Sequence, residues 1–405
     1  MRHRVIRALL GLLNLAGTAC EAVGWSLVRL DPDTIIARAK VRTGLSDLGE
    51  QPYPDGLAVA CRSLEEDANL SLLGRLALRE HLVIAVESCL RRVSLRINHP
   101  EVFEAELERP IVVLGLPRSG TTFLHRLLCE LPGNRGLRTW EIRRPFLEAN
   151  TGDDRRRQAQ RALTVLRAMA PDLDAKHRLD ADEVEEGVGL FDGSFWTPSM
   201  WRLAAVHGYL DWYLAQDPLP GYRIYRDALA WLAHTGGGGR LVLKLPNHVG
   251  FVHALAEVLP NACFVQTHRE PGPVIASYNS LMNSVHGAFA SEVDAERAGK
   301  RALLMWAELL ARGRRERETL ASGRVLDVSY ASLVAEPLAT VRELYEHFEM
   351  PWPPGAEQAL ADALTQRPQH KHGRHVYALG DCGITEAAVA HAFDHPPHSP
   401  ASVDC

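Results

Sequence analysis

The chain has 405 residues, 46% of them hydrophobic, enough to bury one large core or two smaller ones. Its formal net charge of −5 argues against a dedicated nucleic-acid binder, which would be basic. The seven cysteines are widely spaced and form no C-x-x-C pair, which argues against a disulfide framework or a cysteine zinc site and for a reducing cytoplasm.

Residues 1–30 start basic and carry a short apolar stretch, Ala8 to Ala19, below the roughly 20 residues that a spanning helix needs. Three readings stay open: a helix lying on a membrane surface or docking on a partner, an ordinary packed helix, or a cleaved signal. Residues 31–108 read as a helical layer. "DPDTIIARAKVRTG" has Asp31 or Asp33 as N-cap and Gly44 as stop, and "SLLGRLALREHLVIAVESCLRRVSLRI" spaces its apolar residues as a helix does. The arginine-rich runs "RGLRTWEIRRP" and "DDRRRQAQR" read first as solvated surface, with an anion-lined cleft as the sharper alternative.

From residue 109 the pattern changes. Ile111 to Leu114 is an apolar run suited to a buried parallel strand, and a helical pattern follows from Thr121. A helical insert at about 150–235 is rich in Trp and Tyr, a composition that more often builds core than pocket. Then "RLVLKLP", "ACFVQTHR" and "GRVLDVSY" read as strands alternating with helices. The expected fold is α/β: a parallel β-sheet flanked by helices over 109–385, carrying the N-terminal helical layer. Residues 386–405 offer few anchors and read as a disordered tail.

The stretch "IVVLGLPRSGTTFLHRLL" spaces Gly115 and Gly120 as in the G-x-x-x-x-G-K-[ST] phosphate loop, with Thr121 in place of lysine. Backbone N–H groups of such a turn bind anions at a helix N-terminus, Thr121 and Thr122 add hydroxyls, and Arg118 can fork onto two oxygens. Without the lysine, the loop suits a donor needing less neutralisation than a triphosphate, such as a sulfuryl group on a 5′-phosphate. The second signal, "FVQTHREPGPVIASYNSL", puts Arg269 at the end of a strand and Ser277 in the first turns of the next helix.

These two motifs, in this order, resemble the sulfotransferase superfamily that uses 3′-phosphoadenosine 5′-phosphosulfate, in its bacterial-type branch. "WEIRRP", "PDLDAKHRLDADEVEEG", "LVLKLPNHVGFVHAL" and "HKHGRHVYALGDCGI" resemble further blocks of that branch, so the likeness spans roughly residues 31–385. It implies a P-loop nucleotide-hydrolase-like fold. Pro117, Arg118, Ser119, Gly120, Thr121 and Thr122 would hold the phosphosulfate. Arg269 and Ser277 would hold the 3′-phosphate, with Lys371, Gly373 and Arg374 in a loop over it. The acceptor would be a hydroxyl of a small molecule, lipid or carbohydrate, with no metal expected.

For the base, the resemblance favours Glu141, 23 residues after Arg118, over His177, whose imidazole titrates near the working pH and is followed by Asp182, Glu183, Glu185 and Glu186. Lys244, ending a strand, is the candidate for neutralising charge during transfer. Two alternatives remain: a phosphotransferase of the same fold, for which the Asp327 strand comes late, and a nucleotide-binding module without catalysis.

Overall fold

The computed structural model describes residues 27–147, 152–366 and 377–397, together with 11, 13–15 and 17. Most of the N-terminal segment lies outside the described residues, as do the loop holding Lys371, Gly373 and Arg374 and the last eight residues.

Among the described residues five parallel strands pair into one sheet: β1 (Ile111–Gly115), β2 (Asn134–Gly136), β3 (Arg240–Lys244), β4 (Cys263–His268) and β5 (Val325–Ser329). Their spatial order is β2-β3-β1-β4-β5. The expected strands are present, and the three-residue β2, too short to leave a periodic signal, was not foreseen. Every residue of β1 is buried, as befits a central strand covered on both faces. Val112 and Leu114 face the large helical side, while Ile111 and Val113 join the smaller core behind the sheet.

The helical layer takes the form expected. Helix α1 (Pro32–Thr43) begins at Asp31, whose side chain accepts from the Thr34 N–H, and ends at Gly44 with φ 69°. It packs along α2 (Leu72–Asn98), which leans on the 3₁₀ turn Gly187–Ser194. Helix α3 (Thr121–Cys129) follows β1, and α4 (Pro271–Phe289) follows β4. Helix α5 (Ala295–Arg317) covers α4, and α6 (Pro337–His347) backs β5. None of the described helices is long and apolar enough to cross a membrane.

One expectation is corrected. The tail does not lack order from residue 386: α7 (Glu386–Asp394) forms behind Thr385, whose hydroxyl caps the Ala388 N–H, and buries Val389 and Ala392 against α4 and α5. Two apolar residues three apart are a weak signal in a sequence but suffice where two helices already offer a groove.

Helix α4 carries much of the site, and its far end is clamped by α2. Gly74 meets it so closely that an added Cβ would stand 1.8 Å from the Phe289 carbonyl oxygen. Gly74→Ala is expected to cost about 1–3 kcal/mol through forced displacement of backbone, read as a lower urea midpoint. An unchanged midpoint would show that the two helices are free to separate.

Candidate functional site

The turn after β1 is shaped by backbone conformations that side chains resist. Gly115 has φ 137°, and a Cβ there would meet the Thr267 carbonyl oxygen at 2.6 Å. Arg118 adopts φ 63°, unusual for a residue with a Cβ. Gly120, at φ 95°, leads into α3 with no side-chain cap, so the first N–H groups of that helix have no intrahelical partner and face a cleft. Ser119 does not face it. It is fully buried, and its hydroxyl donates to the Leu116 carbonyl while lying 2.6 Å from the Thr267 hydroxyl, tying the loop to β4.

Sheet topology brings the two motifs together. β1 has β3 on one side and β4 on the other, so the chain changes direction across it and a crevice opens at the strands' carboxyl ends. Arg269, just after β4, donates to the Arg118 carbonyl at 2.8 Å, and Arg118 Nε donates to the Ser277 hydroxyl at 3.1 Å. The Arg269 guanidinium also lies over the Tyr330 ring, 4.3 Å from its centroid. Tyr330 was missed in the sequence. Its place at the carboxyl end of β5, one residue past the strand, was the available signal.

A charged cluster borders the loop. Lys244 is 1% exposed, and its Nζ lies 3.2 Å from the Thr122 hydroxyl and 2.5 Å from Glu186. The other Glu186 oxygen pairs with Arg202. Burial pushes the Glu186 carboxyl up, but Arg202 and Lys244 outweigh it and hold the group down to about 2. Glu185 stands 3.5 Å from His177, and burial is again outweighed, here by the imidazole and Lys244, so this carboxyl also titrates well below its usual range. Glu186 was named only as one of four acids beside His177, in a run that reads equally as a helix-start cluster, and Arg202 was not singled out.

The cleft has a volume of about 1180 Å³. Its loop end is formed by Pro117, Arg118, Gly120, Thr121, Thr122, Arg269 and Ser277. His177 and Glu186 lie along it, and the far wall is largely apolar and aromatic. The insert's aromatic residues divide between two jobs. Phe191, Tyr222 and Tyr225 stack into the core beside His248, whereas Trp201, Tyr209 and Tyr213 reach the cleft.

Glu141 is placed elsewhere. It is 6% exposed and absent from the cleft lining. One oxygen accepts from the Arg138 N–H at 2.8 Å and the other pairs with Arg135. Both oxygens are thus engaged in starting the short helix Thr139–Arg143. Asp327 is likewise outside the cleft, bound by Arg317 and His268.

A loop of phosphate-binding form at the switch point of a parallel sheet, opening on a large cleft, is the layout of an α/β protein that binds a phosphorylated ligand. A family model described as "Sulfotransferase family" matches residues 110–354, and the chain belongs to that family. The sulfotransferase STF1 of Mycobacterium tuberculosis superposes with a TM-score of 0.78 at 31% identity, covering 90% of this chain and 98% of that one. STF9 of Mycobacterium avium does so at 0.76 and 26%, covering 90% and 95%. No curated protein matches the chain.

Glu186→Gln is expected to lower stability at pH 7 by roughly 3 kcal/mol, because Lys244 and Arg202 are left without their buried counter-charge. The carboxyl's folded value lies below its ordinary 4.5, so its contribution is complete above that pH and is lost as pH falls towards 2. Urea unfolding of both proteins should therefore show a gap that closes over this window. A gap of the same size at pH 7 and pH 3 would contradict the assignment.

Proposed function

We propose that the protein transfers a sulfuryl group from 3′-phosphoadenosine 5′-phosphosulfate to a hydroxyl of a small-molecule or lipid acceptor. The observation that carries this reading is the junction of Arg118, Arg269 and Ser277 at one end of a single cleft. The free N–H groups opening α3 and the Thr121 and Thr122 hydroxyls would bind the 5′-phosphosulfate. Arg269, braced by Tyr330, and Ser277 would bind the 3′-phosphate, with Lys371, Gly373 and Arg374 as further candidates for it.

In the transfer, the acceptor oxygen attacks sulfur in line, the new O–S bond forms, and the bond from sulfur to the 5′-phosphate oxygen breaks. The base we assign is His177, because it lines the cleft and has Glu185 behind it to stabilise the imidazolium that forms. Glu141 spends both oxygens on local structure. Arg118 and Lys244 would offset charge on the sulfuryl oxygens and the departing phosphate. Five described cysteines are unpaired, which fits a reducing cytoplasm.

Calorimetric titration with 3′-phosphoadenosine 5′-phosphate should give micromolar binding, with none for ATP. Arg269→Ala should weaken it roughly 10- to 100-fold through loss of a charge-assisted pair. Preference for ATP would return the loop to a phosphotransferase role, and tight binding without turnover of any hydroxyl would leave a binding module.

For the base, His177→Asn should lower kcat for sulfation of 4-nitrophenol by about 10²-fold or more while the bisphosphate affinity holds. Glu141→Gln should lower thermal stability and leave the pH profile of kcat in place. The reverse pattern would move the base to Glu141.

A further inference from the structure

His177, the base assigned above, sits on a segment tied down on both sides. On its carboxyl side the Thr139 and Trp140 N–H groups donate to the Glu183 and Ala181 carbonyls, and the Glu185 N–H donates to the Leu137 carbonyl at 2.9 Å. Residues 181–185 are thus pinned to the chain that leaves β2. On its amino side comes the single turn Leu173–Lys176, which buries Leu173 and rests on α4. From the outside, Arg167 pairs with Asp174 at 2.8 Å and donates to the Leu179 carbonyl. The tie to α4 is Lys176.

An ammonium has three N–H donors, and Lys176 uses all three. Its Nζ donates to the Ser280 carbonyl at 2.9 Å and to the Ser284 hydroxyl at 2.6 Å, both on α4, and pairs with Asp172 at 2.9 Å. The Ser284 hydroxyl in turn donates to the same Asp172 oxygen at 2.5 Å. Burial pushes the Asp172 carboxyl up, but Ser284 and Lys176 outweigh it and hold the group below its usual range. Asp172 is half exposed, but the lysine side chain is only 17% exposed and its other two acceptors belong to a packed helix. It is therefore held more firmly than a solvated surface pair.

Two further contacts connect this tie to the chemistry. Ser277, Ser280 and Ser284 recur at helical spacing on one face of α4, so the tie shares that face with the hydroxyl assigned to the 3′-phosphate. The Lys176 carbonyl accepts from Arg118 Nη1 at 3.4 Å, while Arg118 Nε donates to Ser277. Arg118 thus spans from the donor helix to the residue beside the base. Lys176 itself does not line the cleft, whereas its neighbours Ala175 and His177 do, so it acts through other groups.

We propose that Lys176 is a positioning residue: its ammonium fastens the His177 segment to α4 and its carbonyl steadies Arg118, so that base and guanidinium both reach the sulfuryl group. The inference rests on the sulfuryl-transfer reading with His177 as base.

Lys176→Met keeps an apolar stem and removes the ammonium, and Ser284→Ala removes one of its acceptors. In the full chain, Lys176→Met is expected to lower kcat for sulfation of 4-nitrophenol about tenfold. The KM for the phosphosulfate donor and the calorimetric affinity for 3′-phosphoadenosine 5′-phosphate should hold. Ser284→Ala should cost about threefold, and the double variant no more than Lys176→Met alone, because both remove one set of contacts. Lys176→Arg, which keeps the charge but not the ammonium's geometry, should recover part of the loss. Independently of turnover, hydrogen–deuterium exchange should quicken at residues 172–178 in Lys176→Met and stay unchanged in β4. Should Lys176→Met fail to fold, Ser284→Ala and Lys176→Arg support the same comparisons.

An unchanged kcat, a loss of bisphosphate affinity matching the loss of kcat, additive losses in the double variant, or unchanged exchange at 172–178 would each overturn the proposal. If the wild type binds no bisphosphate or sulfates no phenol, the transfer reading falls, and the exchange data decide the tie by themselves. Quickening confined to 172–178 then upholds it, and unchanged exchange removes it.

Discussion

The site depends on the parallel register of β1 against β4, which sets Gly115 opposite Thr267. At that point the two strands end together, and the loops that leave them carry Arg118 and Arg269 respectively. A side chain at Gly115 would collide with the Thr267 backbone, so the closeness of the strands and the left-handed turn are one constraint. The Ser119 and Thr267 hydroxyls, 2.6 Å apart, lock the loop at the same level. Arg269 then holds the carbonyl of the strained Arg118, which in turn reaches Ser277. Backbone strain of this kind persists only where neighbours over-determine it, and here three separate segments do so.

Charge is arranged around the loop by a second set of contacts. A phosphate loop without its lysine would seem short of positive charge, yet Lys244 arrives beside Thr122 from the neighbouring strand β3. Removing a lysine so fully from water is costly, and Glu186 offsets this by pairing with both Lys244 and Arg202. The result is a cation held in place next to the loop. Because the pairing is buried, salt screens it little. The same acidic run supplies Glu185 to His177, so two adjacent residues serve two different partners on the cleft border.

Much of the frame was legible in the sequence. Buried strands announce themselves as short apolar runs, helices as 3.6-residue periodicity with caps, and both appear where the residues indicate: Asp31 and Gly44 bound the first described long helix, and α4 opens at Pro271. The family motifs were legible as well, since a glycine-bounded turn and an arginine followed eight positions later by a serine are local patterns. What the sequence left open was which of the two candidate bases faces the cleft. Glu141 had suitable spacing from Arg118, but spacing along the chain does not say whether a carboxylate faces a cleft or its own helix start. The aromatic insert read as one stripe, yet packing divides it between core and cleft wall.

The sequence by itself determined the class of fold, the order of its strands along the chain, and the two loops that identify the family, because these are properties of contiguous residues. Only the tertiary structure decided that Lys244 reaches Thr122 from β3, that His177 rather than Glu141 borders the cleft, and that Glu186 joins Lys244 to Arg202. Each of these is a meeting of side chains from segments far apart in sequence. Such meetings are set by strand order and helix packing, which no local pattern of residues encodes.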